Sequence, residues 1–236
     1  SMSVQEGKKS GNRFERKFVI SRFSRQEAEL IIKTHPEVFS EIFHERIVNN
    51  IYLDTPNLTF FFENISGKSQ RKKVRIRWYG DLFGDINKPV LEYKIKEGAV
   101  GKKISFLLEP FKLDENFDLN SLMNVFSKSL LPSWVINDIT GLEPKLLNRY
   151  TRKYFRSFDR IFRTTIDYQL VYHDIQKRNN SFLKKVTNEE DIIIELKYDF
   201  DNDKMASIIS SSFPFRITRS SKYVNGISSF HINQAL

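Results

Sequence analysis

The stretch RKKVRIRWYG, Arg71 to Gly80, alternates cations with apolar residues, so that Arg75 and Arg77 fall between Val74, Ile76 and Trp78. Side chains two apart on a β-strand share one face, and this segment therefore reads as a strand with a basic face and an apolar face. Two further stretches repeat the pattern. VLEYKIKEG, from Val90, sets Glu92, Lys94 and Lys96 against Leu91, Tyr93 and Ile95, and IIIELKYDF, from Ile192, sets Glu195 and Lys197 against Ile194, Leu196 and Tyr198. One such strand needs no explanation beyond solvent on one side. Its recurrence, mostly basic with a carboxylate in two of the three stretches, points to a shared interior suited to a multiply charged anion and a metal ion.

Working outward, alternation and turn residues predict strands over 12–20, 46–53, 72–79, 90–96, 103–108, 146–158, 162–174, 191–199 and 214–218. Ser24 followed by Glu27 opens a helix that His35-Pro36 ends. Further helices are expected over 119–130, 133–140 and 203–212 and from near Ser220, with Pro132 separating the middle pair. The fold class is α+β: about eight strands, mostly in hairpin order, closing into an antiparallel β-barrel tunnel with flanking helices. Residues 1–11 read as a disordered lead-in whose Ser1-Met2 is a cloning remnant, and 12–236 as a single domain.

The 236 residues carry a net charge of +9, which favours anionic partners. The chain has no cysteine, which excludes disulfides, thiolate nucleophiles and cysteine-held metals. No segment is long and apolar enough to span a bilayer, and no signal-peptide core is visible. A cytoplasmic setting is expected, with contact to a membrane face only through partners. The phosphate-loop pattern, the serine elbow and the metalloprotease helix motif are all missing, and His35, His44, His173 and His231 show no ligand spacing. No recognition helix or exposed basic-aromatic array supports a nucleic-acid partner.

Closure of the sheet would gather Glu15, Lys17, Arg75, Arg77, Glu92, Lys94, Lys103, Arg152, Arg163, Glu195 and Lys197 around one interior. Like charges confined together repel and lose hydration, and a bound triphosphate or polyphosphate relieves both costs. Arginine forks grip phosphate oxygens in pairs, whereas lysines act as movable point charges. Glu195, with Glu15 or Glu92 as helpers, offers the hard oxygens that Mg²⁺ or Mn²⁺ prefers. The alternative is that each glutamate pairs with a neighbouring lysine. A site of this kind acts by positioning and charge neutralisation, the route that phosphoryl transfer uses.

A series of short motifs then appears in order: Arg13-Phe-Glu15-Arg-Lys17, Tyr52-Leu-Asp54-Thr55, Arg75-Ile-Arg77-Trp78-Tyr79-Gly80, Glu92-Tyr-Lys94, Tyr150-Thr-Arg152-Lys-Tyr154, Arg163-Thr-Thr-Ile-Asp167, Glu195-Leu-Lys197 and Ser221-Lys222-Tyr223. Together they resemble the VTC domain, the polyphosphate polymerase domain of the vacuolar transporter chaperone family within the CYTH-like triphosphate tunnel superfamily. The resemblance runs from about Arg13 to Gly226. It implies a tunnel in which ATP and a growing polyphosphate chain bind basic walls beside a divalent metal. Carried over, it implies that Arg75, Arg77, Lys94, Arg152, Arg163, Lys197 and Lys222 form the catalytic phosphate-gripping set. Lys17, Lys96, Ser221 and either Lys102 or Lys103 would add phosphate contacts, alternation with Ile104 and Phe106 favouring Lys103. Glu195 would hold Mn²⁺ or Mg²⁺, with Glu15 and Glu92 as further candidates. Where the wider superfamily has the first glutamate of an ExExK strand, this chain has Arg13, which removes one possible metal ligand and makes plain triphosphate hydrolysis a weaker expectation than in superfamily members with both glutamates. A non-catalytic polyphosphate sensor and a triphosphatase are the rival readings.

Overall fold

A computed structural model describes residues 2–231. Its strands, in chain order, are β1 (Lys8–Lys9), β2 (Phe14–Ile20), β3 (Ser40–Asp54), β4 (Gln70–Tyr79), β5 (Gly84–Ile86), β6 (Val90–Glu97), β7 (Val100–Leu107), β8 (Phe111–Leu113), β9 (Glu143–Arg156), β10 (Arg163–Asp174), β11 (Lys185–Asn188) and β12 (Ile192–Tyr198). The helices are α1 (Arg25–Lys33), α2 (Thr59–Ser66), α3 (Leu119–Lys128), α4 (Ser133–Ile139), α5 (Asp203–Ser211) and α6 (Lys222–His231). The architecture is α+β and mostly antiparallel. One sheet runs β1-β7-β6-β4-β3-β9-β10-β12-β2, with β11 added to β10, while β5 and β8 form a separate pair. An isolated bridge joins the two sides of that path: Arg13, just before β2, pairs with Gly101 of β7, the strand next to β1, and their amides and carbonyls exchange bonds of 3.0 and 2.8 Å.

Alternation sorts the sheet into two faces, as the sequence pattern requires. On the apolar face, Ile51, Val74, Ile76, Leu91 and Phe106 pack with Leu122, Val125 and Phe126 of α3 and Val135 and Ile139 of α4. The other half of that face, Phe18, Phe155, Ile166, Ile194 and Leu196, is covered by Ala28 and Ile32 of α1 and Ala206 and Ile209 of α5. Both clusters are fully buried hydrocarbon, the dominant stabilising term in folding. On the opposite face, α6 packs Tyr223, Ile227 and Phe230 against Tyr52, Leu146, Tyr172 and Ile193. That helix covers part of the polar face and leaves the rest to charged side chains.

Several expectations are corrected. The lead-in is not free: Lys8 and Lys9 pair with Ser105 and Ile104, and the Gln5 side chain bonds the backbone of Leu107 and Ser129. Ser1, part of the expected cloning remnant, lies outside the described residues. No strand forms over 214–218. Pro214 brings no amide to a ladder, and the segment makes one backbone bond beside β2, Thr218 to the Lys17 carbonyl at 2.7 Å. Helix α2 was not anticipated because its cap is remote: Asp54, at the end of β3, accepts from the amides of Phe60 and Phe61 at 3.0 Å and from the Tyr223 hydroxyl at 2.7 Å. Ser24 caps α1 as read, accepting from the Glu27 amide. His35 and His173 are buried and bonded to backbone carbonyls, His44 is exposed, and the side chain of His231 lies outside the described residues. No described helix is long and apolar enough to cross a membrane.

Candidate active site

Strand register sets the polar face out in rows. Across β4, β6 and β7, Lys73, Lys94 and Lys103 lie directly opposite one another; the next row carries Arg75, Glu92 and Ser105. Across β9, β10, β12 and β2 runs the row Tyr154, Thr165, Glu195 and Lys17, and beside it Arg163, Lys197 and Glu15. Like charges directly opposite are destabilising unless something of the other sign answers them. Lys94 shows the answer available within the chain: its ammonium lies 3.3 Å from both oxygens of Glu15. β6 and β2 stand far apart along the sheet path, and the pair forms beside the junction where Arg13 bridges Gly101 of β7, the neighbour of β6. All of these residues except Glu92 line a cavity of about 970 Å³.

Three ion-pair systems organise the cavity. Arg75 donates through Nε and an amino nitrogen to one Glu92 oxygen at 2.9 Å, and Lys103 stands 3.9 Å from the other. Burial opposes the Glu92 charge, but Arg75, Arg77 and Lys103 hold its carboxyl down to about 2. Arg152 grips the fully buried Asp167 with two bonds of 2.6 and 2.8 Å, and Lys222, brought in by the first residue of α6, reaches the same carboxylate at 2.7 Å. Glu195, itself buried, is fenced by Lys197 and Lys222 at 3.6 Å and Lys17 at 3.9 Å. Burial works against its charge, yet the three ammoniums keep it well below the usual carboxylate range.

Arg77 is held differently, by neutral partners: it donates to Asn50 Oδ1 and to the Tyr150 hydroxyl, both at 2.8 Å, and Asn50 is in turn braced by Asn148. Burial raises the Tyr150 phenol, but Arg77, Arg152 and Lys222 around it bring it down to about 8. The lysines show the strain of crowding. Glu15 supports the Lys94 ammonium, but burial and Lys17 pull it down to about 7. Burial likewise lowers Lys103 to about 8 and drives Lys73 well below its ordinary value. An anion placed here would reverse all three shifts.

Of the residues expected from the sequence, Lys17, Arg75, Arg77, Glu92, Lys94, Lys103, Arg152, Glu195, Lys197 and Lys222 line or border this one cavity with Glu15. Arg163 lines it from an exposed position at the end of β10, opposite Lys197. Lys96 sits between this cavity and a second one of about 440 Å³ that also takes in Ser221, whose hydroxyl accepts from the Val224 amide. Lys102 is exposed and pairs with Ile95, one position before Lys103 on β7, and it too borders the larger cavity. Asp167 and Tyr150 stand in the motifs quoted above but carry no site role there, and Lys73 stands in none; each continues an alternation visible in the sequence, two residues from Thr165, Arg152 and Arg75 respectively. Asn50 and Asn148 are uncharged and left no such signal.

The donor set bears on a metal. Among the described residues no cluster of three or more Asp, Glu, His or Cys is placed to hold an ion alone. Glu15 and Glu195 share Lys17, at 3.7 and 3.9 Å, so two carboxylates border one point. Two carboxylates with the remaining positions left to phosphate oxygens and water is the coordination Mg²⁺-like ions favour in phosphate sites, and the residues fit it. Glu92 is taken up by Arg75.

The site is a cation-rich sheet face interrupted by a few ion-paired carboxylates. The chain belongs to the VTC domain family, whose model matches residues 12–231. No curated protein matches it. Among solved structures, it is similar to a putative adenylyl cyclase, HpAC1 from Hippeastrum, described as having a dominant triphosphatase activity: TM-score 0.52 and 13% identity over 92% of this chain and 95% of that one. It is also similar to PH1819 from Pyrococcus horikoshii OT3 (TM-score 0.47, 15% identity, 92% and 99% covered) and to a putative adenylate cyclase from Vibrio parahaemolyticus (0.48, 13%, 90% and 97%). The HpAC1 likeness shows a shared fold.

Proposed function

We propose that the chain is a metal-dependent phosphotransferase that moves the γ-phosphate of ATP onto a growing polyphosphate chain, inside a tunnel completed where the Arg13–Gly101 bridge and the lead-in seal the sheet into a barrel. The observation that carries the reading is the pair of contiguous cavities: the larger and the smaller share Glu15, Lys17, Lys73, Lys94 and Lys96, so the basic face opens in two directions. A donor entering one end and a chain leaving by the other both need that arrangement.

Arg75, Arg77, Lys94, Arg152, Arg163, Lys197 and Lys222 would bind and align phosphates, and Lys17, Lys96, Lys103 and Ser221 would extend the track. Glu195 with Glu15 would hold Mn²⁺ or Mg²⁺, which when bound neutralises charge on the transferring phosphoryl group. Glu15, Glu92 and Glu195 are all held below the usual carboxylate range, which makes them weak bases toward water. An acceptor phosphate arrives already ionised and needs no base. Holding two mutually repelling anions in line is then the main task of the cationic face.

The activity described for HpAC1 supports a second reading, hydrolysis of triphosphate. Incubation with ATP and Mn²⁺, with products resolved on a gel and by orthophosphate release, tests both. Long phosphate polymers support transfer. Orthophosphate alone supports hydrolysis, and binding with no turnover supports a sensor.

A further inference from the structure

The basic face does not stay basic to its edge. On β4 the interior positions run Lys73, Arg75, Arg77 and then Tyr79; on β9 they run Tyr150, Arg152 and then Tyr154. Each final tyrosine lies one alternation, roughly 7 Å, past an arginine of the cavity. Between the two tyrosines stands Arg46 of β3, opposite Arg152, with its guanidinium 4.0 Å from the centre of the Tyr79 ring and 4.7 Å from that of Tyr154, whose hydroxyl it also bonds at 2.9 Å. Phe43 meets Tyr154 edge to face at 5.7 Å and carries Arg46 at 5.9 Å.

Two features separate this cluster from ordinary packing. Phe43 and Tyr79 remain 59% and 48% exposed, so their outer faces stay open although they border the same cavity as the phosphate-gripping residues. The β3–β9 register also slips on both sides of Phe43, between Glu41 and Phe43 and again between Phe43 and Arg46. Irregularities of this kind re-aim side chains and recur beside active sites. They turn Phe43 and Arg46 toward the rim together, where a regular strand would send residues three apart to opposite faces.

We propose that Phe43, Arg46, Tyr79 and Tyr154 form a nucleobase platform at the rim of the cavity, so that the ligand class taken up is a nucleoside triphosphate seated with its phosphates inward and its base on the aromatic rim. Bases stack on aromatic rings and on guanidinium planes alike, and the platform offers both. The ribose occupies the single alternation between the last arginines and the tyrosines. Stacking by itself selects for the presence of a base more than for its identity. The inference rests on the reading of the cavity as a triphosphate site, and its test separates the two.

Binding of ATP and of inorganic tripolyphosphate is measured by calorimetry for the wild type, Phe43→Ala and Tyr79→Ala, the two exposed rings whose loss leaves the core intact. Quenching of a 2-aminopurine nucleoside triphosphate on stacking provides a second readout. The expected result is that each variant weakens ATP roughly tenfold and abolishes much of the quenching, while tripolyphosphate stays within about twofold. Equal weakening of both ligands, or no weakening of ATP, overturns the platform. Wild-type protein that binds tripolyphosphate but not ATP also overturns it and leaves the cavity reading intact. If the wild type binds neither, both fall.

Discussion

Asp167→Asn isolates the tightest charge constellation in the molecule. The carboxylate is fully buried, holds Arg152 in a two-point grip and Lys222 at 2.7 Å, and both cations are less than a tenth exposed. Burial disfavours its charge, but Arg152 and Lys222 keep its carboxyl below the usual range. Taking one partner from a buried ion pair costs about 3–5 kcal/mol because the remaining charge is stranded. Asparagine preserves the shape and one acceptor oxygen, which places the loss near the lower end, about 3 kcal/mol. For a chain of this length each kcal/mol shifts Tm by about 2–4 °C, so the variant should melt roughly 6–12 °C below the wild type. The freed cations then face the cavity without an internal counter-charge. Tripolyphosphate should therefore raise the Tm of the variant more than that of the wild type, since a ligand that binds only the folded state stabilises it by mass action. Differential scanning fluorimetry with and without tripolyphosphate reads both quantities. A Tm within about 2 °C of wild type, or a smaller ligand-induced rise than in the wild type, refutes the argument that Asp167 stands in for an anion.

Three further outcomes are expected. Glu195→Gln should abolish the Mn²⁺ dependence of turnover while metal-free tripolyphosphate affinity holds or improves, because a negative charge leaves a site that binds anions; an unchanged Mn²⁺ titration would remove Glu195 from the metal site. Tripolyphosphate binding at about pH 8 should take up protons, since Lys94 near 7 and Lys103 near 8 are then largely or half neutral and an anion raises both values; affinity should fall as pH rises through that window, and calorimetry in buffers of differing ionisation enthalpy gives the proton count. Below both values the lysines are already charged, so their uptake vanishes at about pH 6, and proton release at pH 8 would contradict the assignment. Arg77→Ala should lower kcat about a hundredfold with a smaller change in KM, if the guanidinium meets charge that develops in transfer; loss of folding with full specific activity in the folded fraction would make Arg77 a structural residue held by Asn50 and Tyr150.

The alternation in 71–80, 90–98 and 192–200 was enough to define which side chains share a face, because a strand's period of two is a local property that no distant contact can change. Hence Arg75, Arg77, Glu92, Lys94, Glu195 and Lys197 could be grouped, α1 follows from its Ser24 cap, and Pro132 separates α3 from α4. What sequence could not show is what stands across the cavity. That Lys94 meets Glu15, that Asp167 is shared by Arg152 and Lys222, and that Asp54 caps α2 and anchors Tyr223 are contacts between residues far apart in the chain. The lead-in differs from its sequence expectation for the same reason: Lys8 and Lys9 have no strand signal of their own and pair with an open edge of β7. Charge shifts belong wholly to the tertiary level. Lys94 and Lys197 carry the same side chain and the same solution chemistry, and only burial and the placement of neighbouring charges decide how tightly each holds its proton.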